Sequence, residues 1–411
     1  MNNNMDLYQG ELYWPTTNEP HASYPTLEGA IRTRVAIIGG GMSGALSAYT
    51  LSLHGIDTVL LDREQVAGGS TSANTGLLQF SNDIMLHELA KQLGKGPAVR
   101  FYQACGQAVA RLGELAVRLE LPVNYAARDS LYYASSEQDV PRLQQEFEWL
   151  QQAGFDVDYW DPARISAHFP FRKPGAIVTR GDAEVNPYRF VQALVRRAAE
   201  QGALIREHTE IVRHTSEHGI HRLETADGDA VVADAVLYAI GYEPEELRGK
   251  LIRPLLNRSF AAVTVPQTDL AAWHERMLIW ETARPYFYAR TTPSGRIVLG
   301  GLDEEKREPI HGKRPRARRA GQLEARLSEL FPSLDTRLEF AWSATFGESA
   351  DDLPFIGPDP GWAGVYYCLG YGGNGTVYSM IAADLLVQTL SGERHPVADI
   401  VALDRPTLQR T

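Results

Sequence analysis

Val35-Ala-Ile-Ile38-Gly39-Gly40-Gly41-Met42-Ser43-Gly44 is the stretch on which the fold turns. Val35–Ile38 is a continuous apolar run, the pattern of a strand buried on both faces. It stops at glycines spaced G-x-G-x-x-G. Ser43 to His54 then reads as a helix, closed by Gly55, a residue suited to a helix C-terminus. Thr58-Val-Leu-Leu-Asp62 reads as a second strand tipped by a carboxylate. Strand, glycine turn, helix and acidic-tipped strand together predict a βαβ unit that holds a dinucleotide. Gly39 permits the tight turn, Gly41 lets backbone approach a pyrophosphate, and Gly44 lets helix and strand pack closely. Met42 and Ser43 open the helix, whose N-terminus offers N–H groups and partial positive charge to phosphates. Asp62 stands where a carboxylate accepts hydrogen bonds from ribose hydroxyls.

Two further features choose the dinucleotide. Directly after Asp62 comes Arg63-Glu-Gln-Val-Ala-Gly-Gly-Ser70-Thr71-Ser72-Ala-Asn74-Thr75-Gly76-Leu77, a loop of small residues rich in backbone and hydroxyl donors. It starts where the ribose carboxylate stops, so it can follow the pyrophosphate towards a flavin ring. An NAD domain needs no such loop; the plainer alternative is a Gly/Ser surface loop. Near the C-terminus, Val365–Leu369 reads as a strand, Gly370-Tyr-Gly372-Gly373-Asn374-Gly375-Thr376 as a glycine turn, and Val377 to Leu390 as a helix. A second helix N-terminus aimed at a flavin would stabilise the negative charge of its reduced pyrimidine ring. The reading is therefore FAD rather than NAD.

With these pieces in place the chain resembles the D-amino-acid-oxidase-like (DAO) superfamily of FAD-dependent oxidoreductases. Its pattern is closest to the glycine oxidase, sarcosine oxidase and gamma-glutamylputrescine oxidase branches. Glu11-Leu-Tyr-Trp14 with Tyr24-Pro-Thr-Leu27 is similar to the stretch preceding the first strand in the putrescine-type branch. Gly181-Asp-Ala-Glu-Val-Asn-Pro187 resembles the segment that re-enters the FAD domain. Trp342 through Asp351-Asp-Leu-Pro-Phe-Ile-Gly357 resembles the block before the last strand. The resemblance implies FAD contacts at Gly39, Gly41, Met42, Ser43, Gly44, Asp62, Arg63, Ser70, Thr71, Ser72, Asn74, Thr75, Gly76 and Leu77. It adds Ile211 or Val212 beside the adenine, Ala239 and Gly241 beside the cofactor, and Gly372, Gly373, Asn374, Gly375 and Thr376 facing the ring. The implied fold class is α/β with an α+β substrate part: a Rossmann-like FAD-binding domain of glutathione-reductase type plus an antiparallel-sheet substrate domain. The implied activity is oxidation of the C–N bond of a small amine or amino acid, by hydride transfer to flavin that oxygen or another acceptor then reoxidises.

The expected FAD domain is discontinuous, using 30–85, 175–250 and 340–411. Segments 86–174 and 251–339 form the substrate domain, and 1–29 a leader. Phe260–Val265, Met277–Trp280, Tyr286–Arg290 and Arg296–Leu299 read as strands of an antiparallel sheet. Pro97–Leu119, Arg142–Ala153 and Pro187–Gln201 read as helices. The basic run Lys306 to Arg319 reads as a solvated loop leading into a helix.

Composition narrows the function classes. A chain of 411 residues with 44% hydrophobic and 22% charged residues is globular, and long enough for two domains. A net charge of −11 argues against a nucleic-acid partner. Two cysteines, Cys105 and Cys368, make neither a disulfide framework nor a zinc site. No basic n-region with an apolar core opens the chain, and no apolar stretch is long enough to span a membrane. The cytoplasm is the expected location.

The expected substrate wall is Tyr286-Phe-Tyr288-Ala-Arg290, where alternation puts Tyr286, Tyr288 and Arg290 on one face. The phenols could clamp a substrate and Arg290 pair with a carboxylate; aromatic core packing with a surface arginine is the alternative. Glycine- and D-amino-acid-oxidase-like members carry a carboxylate-anchoring arginine shortly after the Trp of the block, whereas this chain has Trp342-Ser-Ala-Thr-Phe-Gly347. Sarcosine-oxidase-like members carry an oxygen-activating lysine in the strand ending Leu-Gly, and Val298 stands there. Loss of that cation points to a dehydrogenase. Relatives that bind flavin covalently use a cysteine near the block or a histidine in the second glycine loop; this chain has neither, so FAD is expected to be non-covalent. His208, His214, His218 and His221 fall on an expected solvent-facing hairpin. Alternative readings are an FAD-dependent dehydrogenase of 2-hydroxy acids or polyol phosphates, and an FAD-carrying subunit of a hetero-oligomer or a homo-oligomer.

Overall fold

A computed structural model describes residues 7–17, 23–242, 252, 255–370 and 372–409. Residues 1–6 of the leader, His21, Tyr371 and the expected boundary at 250 lie outside the described residues.

The opening run forms the strand Ala30–Ile38, with Val35, Ala36 and Ile37 fully buried. It pairs in parallel with Thr58–Leu61 on one side and Ala230–Tyr238 on the other. The sheet runs, in spatial order, Phe355–Pro358, Val365–Leu369, Ala230–Tyr238, Ala30–Ile38, Thr58–Leu61 and Leu204–Arg206. Pairs along this order are parallel except for Phe355–Pro358 with Val365–Leu369, and the antiparallel hairpin Arg213–Glu217 and Ile220–Glu224 adds to Ala230–Tyr238. The helices Met42–Leu53, Pro187–Glu200 and Gly375–Leu390 contribute Leu46, Leu194 and Met380 to the core on one face. Met42–Leu53 lies close because Gly44 has no side chain: a Cβ there would fall 1.8 Å from the Gly39 carbonyl oxygen. Pro187–Glu200 starts where the Asn186 side chain accepts from the Arg189 N–H and Pro occupies the first turn.

The second sheet runs Tyr8–Glu11, Leu338–Glu348, Leu255–Thr264, Ile297–Glu304, Phe287–Thr291, Leu278–Glu281, Ala126–Tyr133, Ala176–Glu184 and Leu77–Leu78, with Val157–Trp160 beside Ala176–Glu184. Leu278–Glu281 pairs in parallel with Ala126–Tyr133, so the sheet is mixed rather than purely antiparallel. The expected boundaries gave Ala176–Glu184 and Leu338–Glu348 to the nucleotide half. Their ladders join them to the second sheet, Ala176–Glu184 to Ala126–Tyr133 and Leu338–Glu348 to Leu255–Thr264. A strand announces itself in sequence by its own pattern, but its partner does not.

The helix Lys313–Leu330 buries Leu323, Leu327 and Leu330 against this sheet. It begins inside the basic run, so that half of Lys306–Arg319 is helical and not loop. Arg319 and Arg258 both pair with Glu304. The histidine hairpin also departs from expectation. His208 and His218 face solvent, but His221 is fully buried and its Nδ1 lies 3.0 Å from His214 Nε2. His214 Nδ1 is 2.7 Å from the Tyr238 hydroxyl, and Trp362 stacks on the ring at 4.1 Å. Among the described residues no three His, Cys, Asp or Glu are placed to hold a metal ion, and no helix is long and apolar enough to cross a membrane.

Candidate active site

The carboxyl ends of three neighbouring strands meet at one cavity of about 670 Å³, lined there by Ile38–Gly39, Ala239–Gly241 and Gly370. A crevice outside the carboxyl ends of parallel strands is where an open α/β sheet binds ligands. Two long helices start on it, Met42–Leu53 from Gly41 and Gly375–Leu390 from Asn374, and neither is capped by its N-cap side chain. Such ends keep N–H donors and positive dipole ends for a ligand. The Met42 N–H is the exception, held at 3.1 Å by the Thr71 hydroxyl. Gly39 adopts φ +109°, and a Cβ there would meet the Ala239 carbonyl at 2.4 Å. Asp62 accepts from the Gly40 N–H at 2.7 Å and the Glu64 N–H at 2.8 Å. Burial raises its pKa above the ordinary carboxylate value, and those two N–H groups oppose the rise. This donor set fits a dinucleotide: uncapped helix ends for phosphates, and a fixed carboxylate for ribose.

Of the residues expected to touch the cofactor, Gly39, Gly41, Met42, Ser43, Asp62, Arg63, Ser70, Thr71, Asn74, Thr75, Leu77, Ile211, Ala239, Gly241, Gly372, Gly373, Asn374, Gly375 and Thr376 line this cavity. Four do not. Gly44 packs on Gly39. The Ser72 hydroxyl donates to the Ala67 carbonyl at 2.6 Å. A Cβ on Gly76 would meet the Val185 carbonyl at 2.2 Å, so this glycine serves chain packing. Val212 is exposed, its N–H bonded to the Glu224 carbonyl.

The opposite wall carries the expected tyrosines. Tyr286 and Tyr288 both line the cavity, and the Thr75 hydroxyl donates to the Tyr288 oxygen at 3.2 Å. The Tyr288 ring has room because Gly300 faces it: a Cβ there would lie 2.1 Å from the ring. Burial pushes both phenols well above their ordinary pKa, so they stay protonated.

Arg290 is a correction. Its Nε donates to the Thr75 carbonyl at 2.7 Å, Nη2 to Val185 at 2.8 Å and Nη1 to Thr291 at 3.2 Å. Glu184 lies 3.5 Å away, and the Trp14 ring covers the guanidinium at 5.1 Å. The side chain is buried beneath the loop Asn74–Gly76 and is absent from the cavity wall. Alternation chose the face of the strand correctly, but that face runs from the cavity into the packed joint with the loop. The leader helps to fix this joint, since Trp14 Nε1 donates to the Asn74 carbonyl at 2.5 Å. Leu7 and Tyr8, also of the leader, line the cavity itself.

Sequence reasoning missed Trp280, Asp83 and Asp303, which also line the cavity. Trp280 stacks on Tyr132 at 3.7 Å. Asp83 accepts from the Gly373 N–H at 2.8 Å. Asp303 has a buried Oδ1 without a hydrogen-bond partner, and burial first, then the charge of Asp83, pushes its pKa up to about 6. Glu348, to about 7, and Asp352, to about 6, are raised by the same causes in the same order. Asp303 was findable, because it follows the glycine pair Gly300-Gly301 that makes space for Tyr288. Asp83 sits in a stretch with no period and no motif. Among the described residues that line the cavity there is no cysteine and no histidine, and Arg63 is the one cation. Cys105 and Cys368 are unpaired and buried, with thiols pushed up to about 12 by burial.

Comparison with known proteins agrees with this geometry. The DAO family model, described as FAD dependent oxidoreductase, matches residues 34–389. Glycine oxidase from Geobacillus kaustophilus is 24% identical over 395 residues, covering 90% of this chain and 95% of that protein. The crystal structure of glycine oxidase from the same organism superposes with a TM-score of 0.79 at 19% identity, covering 91% of this chain and 99% of that one. YhfW of Bacillus subtilis, named for a Rieske 2Fe-2S centre, is 26% identical over 199 residues, covering 48% of this chain and 38% of its own length.

Proposed function

Since the chain belongs to the DAO family of FAD dependent oxidoreductases, we propose that it oxidises the C–N bond of a small amine or amino acid with FAD held non-covalently. The observation that carries this reading is one cavity with two unlike walls, uncapped helix ends on one side and Tyr286, Tyr288 and Trp280 on the other. The lack of cysteine and histidine among the described residues of the cavity wall supports non-covalent attachment.

FAD, when bound, would supply a two-electron acceptor for the hydride of the carbon beside the nitrogen. Loss of a proton from that nitrogen and of this hydride would leave a C=N bond, which water would hydrolyse to a carbonyl and an amine. The residues of the chain do the rest. Helix N-termini and Asp62 hold the cofactor. The Tyr288 phenol, steadied by Thr75, donates to substrate. Trp280 stacked on Tyr132 excludes water from that wall. Holding the reacting atoms in one geometry supplies much of the rate, and a partly desolvated cavity lowers the amine pKa towards the reactive neutral form.

Part of this reading is that FAD is held by 30–85, 175–250 and 340–411 and substrate by 86–174 and 251–339, with the strands Ala176–Glu184 and Leu338–Glu348 exchanged into the latter. A cytoplasmic location accords with two unpaired buried thiols. Electrons leave for an acceptor other than oxygen. Val298 is fully buried where a lysine would activate oxygen.

The test is anaerobic mixing of yellow holoprotein with amines, amino acids, 2-hydroxy acids and polyol phosphates while following the visible flavin band. Amines or amino acids are expected to bleach it, with a dye then reoxidising it faster than oxygen. Bleaching by hydroxy acids or polyol phosphates alone would overturn the reading.

A further inference from the structure

The cavity has an unbalanced charge. Besides Asp62, Glu64 and Glu210 near its nucleotide end, it presents Asp83 and Asp303, against Arg63 as the one cation among the described lining residues. Glu348 and Asp352 stand close enough to Asp83 for its charge to raise both of them. The neighbouring charges cancel this set only in part. Arg284 lies at 4.9 Å over the Tyr286 ring and donates to the Asp83 backbone carbonyl; its charge draws down the carboxyls of Asp303 and Asp352, which burial and Asp83 still hold raised. Asp351 is consumed by Arg405 at 2.7 Å, Glu88 by Arg142 at 2.8 Å, and Glu304 by Arg258 and Arg319. Glu348 accepts from the neutral Asn257 amide at 2.6 Å. Asp303 accepts side-chain hydrogen bonds from Ser259 and Tyr286, neutral groups, and keeps its buried Oδ1 with no partner. Carboxylates drawn out of water without a counter-ion are costly, so a protein that retains them in its cavity is built to receive a cation.

The rings are the second observation. Tyr286, Tyr288 and Trp280 line the same wall, and aromatic faces attract ammonium groups. The arginine that could have anchored a substrate carboxylate, Arg290, is saturated elsewhere. A free amino-acid carboxylate would therefore meet like charge.

Resting on the amine-oxidising reading, we propose that the substrate carries a second cationic group beyond the nitrogen being oxidised, as a linear diamine or polyamine does, and that Asp303 and Asp83 hold this distal ammonium against Tyr286 and Trp280. One nitrogen sheds its proton and reacts. The other stays charged and fixes the reach. The raised carboxyl of Asp303, about 6, makes the preference pH-dependent. It ionises as pH rises through that value, so discrimination for the dication strengthens from acid to neutral solution.

The experiment uses holoprotein and linear diamines of increasing length, each paired with the monoamine and the ω-amino acid of the same length. Flavin bleaching gives apparent Kd, and calorimetry with the same compounds gives binding without turnover. The best diamine is expected to bind at least about tenfold more tightly than its monoamine, a coupling of about 1.4 kcal/mol. The ratio should shrink below pH 6 and fall towards one in Asp303→Asn. Asp83→Asn, on a different segment of the chain, checks that loss of folding does not explain the change. Equal or tighter binding of monoamines or ω-amino acids overturns the inference while leaving amine oxidation intact. Diamines that bind preferentially by calorimetry but never bleach the flavin uphold cation recognition and overturn the amine-oxidising reading. Neither preference nor bleaching overturns both.

Discussion

The two walls of the cavity are made of different material. The nucleotide wall is backbone: glycine turns, helix ends, and a carboxylate pinned by two N–H groups. The proposed substrate wall is side chain: two phenols, an indole, and carboxylates contributed by segments far apart in sequence. Backbone geometry tolerates almost no change at a close contact, because a methyl group cannot be moved out of a carbonyl. Side-chain geometry tolerates exchange, and its cost lies in charge and solvation. The first wall should therefore fail as a whole, and the second by degrees.

The largest expected effect tests the backbone wall. Gly44→Ala places a methyl 1.8 Å from the Gly39 oxygen and must push the helix Met42–Leu53 off its strand. We expect a colourless, poorly folded protein, with a loss of about 3 kcal/mol or more. A yellow variant with full FAD content and native Tm would break the comparison.

The next prediction concerns a residue that changed sides. Arg290→Met takes one of its two arginine partners from Glu184, which stays buried beneath the Asn74–Gly76 loop. Removing one member of a buried pair costs about 3–5 kcal/mol; Arg128, at 2.9 Å from Glu184, softens that loss. Lower Tm and weaker FAD retention are expected together. A variant of native stability whose only defect is a raised KM would return Arg290 to the substrate wall.

The smallest effect concerns a carboxylate that stands near the side-chain wall, close enough to Asp83 to feel its charge. Glu348 has its folded carboxyl raised to about 7, above its unfolded value. A group raised in the folded state stabilises below its unfolded pKa and loses that contribution as pH rises through its folded pKa. Charging Glu348 between about pH 5 and 7 therefore costs the folded protein stability. Glu348→Gln removes this cost. Thermal unfolding should show the variant more stable than the parent at pH 8, by about 1 kcal/mol after solvent screening, and no gain at pH 5. A gain of the same size at both pH values would mean the group is not held in repulsion.

Much of the nucleotide wall was legible. Gly39 and Gly41 before one helix, and Gly372–Thr376 before another, were each readable as local motifs, since a turn and the helix it launches are local objects, and Asp62 closes the strand after the first of them. Tyr286 and Tyr288 were legible as a face of one strand, because alternation is local too. Arg290 was misread because the same alternation says nothing of where a strand passes under its neighbour. His214 and His221 were misread for the same reason: hairpin pattern suggested an exposed edge, but Trp362 packs over His214 from elsewhere in the chain. Ala176–Glu184 and residues 340–348 fell inside segments given to the nucleotide half, because the ladder partners that decided their sheet lie elsewhere in the chain.

The order of residues alone determined the parallel βαβ start, the second glycine turn and hence a chain built for a dinucleotide, because these rest on short-range backbone geometry. Only the tertiary structure decided which carboxylates face the cavity, which arginine leaves it, and what sign of charge a substrate would meet. Electrostatic fields sum over distance in space, and chain order carries no measure of that distance until the sheets have closed.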